Sequence, residues 1–165
     1  MSTTTLRAQW SFSFDRLETT QAFGRELGGR IQSPGLIAFF GELGSGKTTL
    51  IQAIGAGMGV SVPILSPTYT FVNHHQGGQL PLLHVDCYRI EKPEEFYDIG
   101  LEEWLSRPYL VCMEWSEHVE DLLPRRRMEL RLGYETPEKR SVRVLLFADL
   151  WPELDHWLDS WAENR

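Results

Sequence analysis

The amino-acid sequence predicts an α/β fold in which a mostly parallel central sheet carries an antiparallel margin. Three observations favour this class. Strand and helix patterns alternate over the first part of the chain, and residues 36–40 and 109–113 are continuous apolar runs, typical of strands buried on both faces. Beyond residue 70, strand patterns follow one another more closely. The length of 165 residues fits one domain.

Two strand–helix pairs are predicted at the start of the chain. Residues 9–14 alternate enough to form a short strand, and residues 15–31 repeat apolar side chains at roughly helical spacing. After the break at Ser33-Pro34-Gly35, residues 36–40 predict the first buried strand. Residues 47–58 then predict a helix that glycines stop.

The remaining part of the chain is predicted to be richer in strands. Residues 70–73 and 80–86 flank a Gly77-Gly78 turn, which indicates a hairpin. The further elements expected are two short helices, a buried strand and two late antiparallel strands, at residues 93–97, 101–105, 109–114, 128–132 and 141–147.

The C-terminal residues depart from this pattern, because their apolar side chains form a helical stripe. The stripe consists of Leu150, Leu154, Trp157, Leu158 and Trp161. We therefore expect one domain over residues 1–149 and a helical extension over residues 150–165 that packs on the domain's own sheet. The alternative is that the stripe binds a partner.

Composition excludes several classes of function. Sixteen basic and 23 acidic side chains give a formal net charge of −7, which disfavours broad electrostatic binding of nucleic acid or anionic lipid. Cys87 and Cys112 lie in apolar stretches and are too few for a disulfide framework or a four-cysteine zinc site. The sequence has neither a signal-peptide pattern nor an apolar run near the roughly 18 residues of a membrane span. A soluble, cytoplasmic protein without membrane contact is expected.

A phosphate-binding loop is predicted directly after the first buried strand. Residues 41–48 read G-E-L-G-S-G-K-T and fit the pattern G-x-x-x-x-G-K-[ST]. Its glycines let backbone N–H groups turn inward around a phosphate, and the following helix adds the positive end of its dipole. Lys47 is suited to the β- and γ-phosphates and Thr48 to Mg²⁺. The alternative, a glycine-rich turn with a lone lysine, matches this pattern by chance about once in a hundred such chains. We therefore predict a three-layer, P-loop NTPase-like domain.

Two carboxylates are candidates for the rest of a metal site. Glu114 ends the apolar strand 110–113, and Asp86 ends the apolar run 82–85. Open α/β sheets bind ligands at the carboxyl ends of their strands, so one acid could hold the metal while the other orders water. Either acid could instead cap a strand, and the sequence leaves open which one contacts the metal.

Four blocks of sequence resemble one known family. They are G-E-L-G-S-G-K-T-T at residues 41–49, S-P-T-Y-T at 66–70, H-V-D-C-Y-R at 84–89 and Glu114-Trp115. Their order and spacing are similar to those of TsaE, also called YjeE, the bacterial ATPase required for threonylcarbamoyladenosine modification of tRNAs that read ANN codons. The loop alone is generic, whereas the other three blocks are specific. The resemblance covers residues 36–133.

The resemblance implies a role for each matching residue. The residues implied to bind the ATP phosphates are Gly41, Glu42, Leu43, Gly44, Ser45, Gly46, Lys47, Thr48 and Thr49. Thr48 and Glu114 would hold Mg²⁺, and Asp86 would be a catalytic or metal-ordering carboxylate. Lys47 would offset charge on the γ-phosphoryl group during attack by water.

Three further residues have roles with open alternatives. The resemblance implies that Thr68 lies in a switch-like loop sensing the γ-phosphate, with a turn residue set by Pro67 as the less favoured alternative. Trp115 would lie near the nucleotide, with core packing as the alternative. Thr20 is a candidate for the adenine side, but an N-cap or surface threonine is the favoured interpretation.

The resemblance also implies partners. In the family, TsaE works with TsaB and TsaD, and TsaD carries out the transfer to tRNA. ATP hydrolysis, weak in the isolated protein, would regulate that complex, and tRNA contact would come only through it. The alternatives are a small-molecule kinase, a GTPase and a nucleotide-gated binding subunit with almost no turnover. The kinase would need an arginine-bearing lid, and the GTPase an N-K-x-D motif that the sequence lacks.

Overall fold

The strands and helices of the chain form one α/β unit in the computed structural model, which describes residues 4–67 and 70–163. The strands are β1 Leu6–Phe14, β2 Gly35–Phe40, β3 Val72–His75, β4 Leu82–Asp86, β5 Leu110–Glu114, β6 Met128–Tyr134 and β7 Arg140–Phe147. The α-helices are α1 Leu17–Arg30, α2 Lys47–Gly57, α3 Pro93–Asp98, α4 Leu101–Leu105 and α5 Asp155–Glu163. Short 3₁₀ segments lie at Ser116–Leu122 and Pro152–Leu154.

The sheet is mixed and runs in the order β1-β7-β6-β2-β5-β4-β3. Within the described residues, the pairs β6–β2, β2–β5 and β5–β4 are parallel, and β1–β7, β7–β6 and β4–β3 are antiparallel. The predicted α/β class, the β3–β4 hairpin and the antiparallel late strands are therefore confirmed. The parallel pairs are confined to the four central strands, so parallel pairing does not dominate the sheet as a whole.

β1 is longer than the alternation of the sequence predicts. It begins at Leu6 instead of residue 9, and Leu6 pairs with Phe147 at the far end of β7. This contact joins the N-terminal segment to the last strand, and it extends β1 into a segment whose own alternation is weak. Long-range pairing therefore determines where β1 begins.

Both faces of the sheet are covered, as the apolar run of β2 predicts. Ile37 and Phe39 belong to the core that includes buried residues of α1 and α2, whereas Leu36 belongs to a second core with residues of α3 and α4. Cys87 and Cys112 are free and buried. Burial raises the pKa of the Cys87 thiol to about 12, so this thiol is unreactive at neutral pH.

α5 packs on the outer strand β1 and on α1. Trp157 and Trp161 lie in an aromatic cluster with Phe23 of α1, and both indole N–H groups donate hydrogen bonds to Oε2 of Glu26, at 2.9 and 3.1 Å. The whole predicted stripe from Leu150 is buried. Among the described residues, none of the helices has the length and apolar composition needed to cross a membrane.

Candidate nucleotide-binding site

The loop between β2 and α2 has a backbone that requires glycine. Gly41, Gly44 and Gly46 have φ angles of +147°, +76° and +103°, a region that other L-residues rarely adopt. A Cβ atom on Gly41 would also lie 2.6 Å from both Leu132 O and Ser45 Oγ. α2 begins at Lys47 with Gly46 as its N-cap, so no capping side chain covers the first amides of the helix. Such a helix start binds anions.

Lys47 folds back over this loop. Its ammonium donates to the carbonyl oxygens of Gly41, at 2.5 Å, and Glu42, at 3.0 Å, and lies 3.8 Å from the ring centre of Trp115. Burial lowers the pKa of Lys47, although Glu117, Glu114 and Asp86 act in the opposite direction. The loop thus holds a buried cation whose direct partners are neutral oxygens and a ring face.

The two predicted carboxylates meet at one edge of the sheet. Asp86 and Glu114 end parallel neighbours, β4 and β5, directly opposite each other, and both are buried. Thr48 donates a short hydrogen bond to Oε1 of Glu114. Ser66 Oγ lies 3.1 Å from Oδ2 of Asp86 and 3.4 Å from Oε2 of Glu114, and the amide of Tyr88 donates to Oδ1 of Asp86 at 2.9 Å.

Glu114 is held in its ionised form. Burial raises its pKa, but His84, the hydrogen bond from Thr48 and the charge of Lys47 outweigh burial, and the pKa of Glu114 lies below its usual value. The imidazole of His84 has its Nε2 atom 3.7 Å from Oε2 of Glu114. An ionised carboxylate beside a threonine hydroxyl is a donor set of hard oxygens, which suits Mg²⁺.

The loop lies between two cavities. The first, of about 350 Å³, is lined by residues 43–49 together with Ser66, Asp86, Tyr88, Glu114 and Trp115, and its lining does not include Gly41 or Glu42. The second, of about 290 Å³, lies on the other side of Gly44, Ser45 and Gly46. Thr49 lines both of them. The chain thus has two cavities that share part of a single glycine-rich loop as their wall.

Thr20 is buried, whereas the favoured interpretation of the sequence placed it at a helix N-cap or on the surface. It is buried, with 7% of its surface exposed, and it lines the second cavity, while Arg16 is the N-cap of α1. The interpretation of Thr20 as an N-cap or surface residue is therefore wrong. The cavity is built from β1, α1 and the β6–β7 region, including Pro137 and Arg140, which are distant in sequence and gave no local signal.

Of the other predicted site residues, Trp115 lines the first cavity, whereas the side chain of Leu43 is exposed. Leu43 is 81% exposed, and its carbonyl accepts a hydrogen bond from Tyr134. Trp115 lies at the first cavity and packs against Tyr88, with ring centres 4.8 Å apart. Thr68 lies outside the described residues. Sequence reasoning assigned no role to Ser66 or His84, although both are in the motif blocks.

Comparisons with known proteins identify the family and support the fold. The family model "Threonylcarbamoyl adenosine biosynthesis protein TsaE" matches residues 14–142. The crystal structure of Bacillus subtilis YdiB has a TM-score of 0.79 at 23% identity, covering 93% of this chain and 95% of that one, which supports the α/β fold alone.

Sequence relatives carry the same name, tRNA threonylcarbamoyladenosine biosynthesis protein TsaE. The Nostoc sp. protein is 40% identical over 106 residues, 62% of this chain and 65% of that protein, so the match spans slightly less than two thirds of it. The Streptomyces coelicolor protein is 35% identical over 139 residues, 80% of this chain and 93% of that protein. The Bacillus subtilis protein is 32% identical over 126 residues, 76% and 78% of the two chains. The chain belongs to the TsaE family, which takes part in the biosynthesis of threonylcarbamoyladenosine in tRNA.

Proposed function

We propose that the protein binds Mg²⁺-ATP at residues 41–49 and hydrolyses it to support threonylcarbamoyladenosine modification of tRNA. The observation that carries this proposal is the convergence of Lys47, Thr48, Asp86 and Glu114 on one cavity beside a helix start. A cation, a hydroxyl and two carboxylates around backbone amides are the parts that phosphoryl transfer to water requires.

The side chains at the site fit Mg²⁺. Thr48 and Glu114 already lie within hydrogen-bonding distance of each other, so one small ion could contact both oxygens. The described part of the chain has no cluster of three or more His, Cys, Asp or Glu side chains arranged to hold a metal. This agrees with Mg²⁺, which usually takes one or two protein ligands and completes its shell with phosphate oxygens and water.

Each side chain would have a separate task in hydrolysis. Lys47 would leave the carbonyls of its own loop and neutralise the β- and γ-phosphates. Asp86 would accept a hydrogen bond from the attacking water, while Ser66 and the amide of Tyr88 hold its carboxylate in place. Thr48 and Glu114 would hold Mg²⁺, and the bound ion would supply positive charge that offsets the negative charge of the phosphates. In this proposal Thr68 senses the γ-phosphate and Trp115 lies beside the nucleotide.

The second cavity is suited to the adenosine. It borders the phosphate loop along residues 44–46, and Leu17, Thr20, Pro137 and Arg140 give it both apolar and polar walls. Mixed walls of this kind accommodate a flat base with a few polar groups. In this arrangement residues 1–149 form a three-layer, P-loop NTPase-like ATPase domain, and residues 150–165 form an extension packed on it.

The partners proposed are TsaB and TsaD, with the protein acting on their complex and not on tRNA directly. The net charge of −7 supports the absence of direct tRNA binding from this proposal, because a tRNA-binding surface would need an excess of basic residues. A cytoplasmic location follows from a role in tRNA modification. Hydrolysis is expected to be weak in the isolated protein and to depend on the partners.

Asp86→Ala tests the assignment of the water-ordering carboxylate. We expect hydrolysis to fall by about 100-fold or more while ATP binding, measured by calorimetry with Mg²⁺, stays within a few-fold of the wild type. Loss of binding and hydrolysis together would contradict the role of Asp86. Absence of ATP binding by the wild type, even with TsaB and TsaD present, would overturn the proposed function itself.

The rate of ATP hydrolysis, measured with and without TsaB and TsaD, distinguishes a coupled ATPase from a nucleotide-gated binding subunit. Turnover that rises when TsaB and TsaD are added supports a coupled ATPase. ATP binding without turnover in either condition would instead indicate a nucleotide-gated binding subunit.

A further inference from the structure

His84 is a buried side chain on β4, the strand beside the edge strand β3, and its ring nitrogens lack hydrogen-bond partners among the described residues. It is the middle residue of β4, it is fully buried, and within the described residues neither of its ring nitrogens has a hydrogen-bond partner. Buried polar atoms are nearly always paired, so an unpaired imidazole at this depth calls for an explanation.

The alternation of β4 directs His84 toward the metal site. Side chains two residues apart lie on the same face of a strand, so His84 shares a face with Asp86. On the neighbouring strand β5, the residues opposite are Cys112 and Glu114. Nε2 of His84 lies 3.7 Å from Oε2 of Glu114, slightly beyond hydrogen-bonding distance, so a small shift would pair them.

The two oxygens of Glu114 have different partners. Oε1 accepts the hydrogen bond from Thr48, whereas Oε2 faces Ser66 and His84. We propose that His84 is a positioning residue: it donates its Nε2–H to Oε2 of Glu114 and thereby keeps Oε1 directed at Thr48, where the metal would bind. The inference rests on the proposed function. Carboxylate ligands commonly depend on such outer hydrogen bonds for their orientation.

Three substitutions at His84 separate positioning from packing. Glutamine can place an N–H donor close to the position of Nε2, asparagine reaches only the position of Nδ1, and leucine retains apolar bulk without a donor. The readout is the ATP dissociation constant measured by calorimetry with excess Mg²⁺ and again with a chelator. The constant measured with chelator divided by the constant measured with Mg²⁺ reports how much the metal contributes to ATP affinity.

We expect His84→Gln to keep the wild-type ratio within about threefold, and His84→Asn and His84→Leu to reduce it by about tenfold or more. The constants measured with chelator should not change. A wild-type ratio in His84→Leu, or an equal loss in all three variants, would overturn the inference. ATP binding by the wild type with no variant effect would overturn the inference alone and leave the proposed function standing.

His75→Leu is the matched control. His75 lies on β3, is also buried and also has an unpaired Nε2, but the described part of the structure shows no contact between it and Glu114. We expect this variant to keep the wild-type ratio. A tenfold loss in His75→Leu would show that the effect arises from packing and would contradict the positioning role.

Nitrogen NMR of the nucleotide-free protein gives a second test that needs neither metal nor turnover. The signals of His84 are assigned by their absence from His84→Gln. We expect a proton on Nε2, in slow exchange with water because the ring is buried. A tautomer protonated on Nδ1 alone would overturn the inference, since Nε2 could then donate nothing to Glu114.

Discussion

Lys47 has a buried charge that costs stability and that the proposed function would use. Its charge is buried against two carbonyl oxygens and a tryptophan ring, and burial lowers its pKa. A lowered pKa means that the folded protein favours the charged form less than water does. The ammonium is therefore held ready for an anion that would stabilise it.

We expect Lys47→Met to weaken ATP binding by about tenfold or more, because a charged hydrogen-bond donor to phosphate is lost. The melting temperature should stay the same or rise, because the methionine has no charge to bury. Calorimetry and a thermal melt measure the two effects. Lys92→Met, at an exposed lysine, controls for net charge and should change neither. A less stable variant that binds ATP normally would contradict this account.

The contact between α1 and α2 determines how the phosphate loop is presented. A Cβ on Gly28 would lie 2.0 Å from the carbonyl oxygen of Ile54, and one on Gly24 would lie 2.5 Å from Cβ of Ala53. The two helices therefore pack backbone against backbone. Since α2 starts at the loop, any displacement of this helix also moves the amides that are proposed to bind phosphate.

Gly28→Ala is expected to destabilise the protein by about 1–3 kcal/mol, because the added methyl group forces the helices apart. Unfolding in urea measures this, and ATP affinity should fall as well. Gly29→Ala is the control on the same helix. A Cβ there would have its nearest neighbour at 3.6 Å, an ordinary contact, so we expect no loss of stability. Equal effects of the two substitutions would refute the close-packing explanation.

At the scale of the whole molecule, Glu26 connects the two ends of the chain. It accepts hydrogen bonds from the indoles of Trp157 and Trp161, which places α5 against α1 and β1. This contact supports self-docking of the C-terminal stripe over partner binding. The boundary between a domain at 1–149 and an extension at 150–165 stays a prediction.

Glu26→Ala should lower the free energy of unfolding by about 1–3 kcal/mol, because two buried indole donors lose a charged acceptor. Urea denaturation measures the change. Glu26→Gln keeps a side-chain oxygen at the same position, and we expect a smaller loss. Deletion of residues 150–165 provides a stronger version of the test. An unchanged melting temperature after that deletion would contradict docking.

The sequence predicted those parts of the site that depend on local patterns. The loop at 41–48 and the strand-ending acids Asp86 and Glu114 were identifiable because each is defined by a few neighbouring residues. Strand register then brought the two acids together. The second cavity could not be predicted, because Thr20 and Arg140 come to line one cavity only after β1, α1 and β7 assemble. The start of β1 at Leu6 depends on the same kind of long-range pairing.

The two cavities that share one glycine loop constrain how the protein can change. Gly44 and Gly46 form a wall common to both, so an alteration there disturbs each cavity at once. Thr20 and Asp86 each border only one of them. If adenosine occupies the second cavity, as proposed, substitutions near Thr20 would change nucleobase preference and leave turnover unchanged, whereas substitutions near Asp86 would reduce turnover and leave nucleobase preference unchanged. Under that proposal the two properties could evolve independently except at the residues that line both cavities, which are Gly44, Ser45, Gly46 and Thr49.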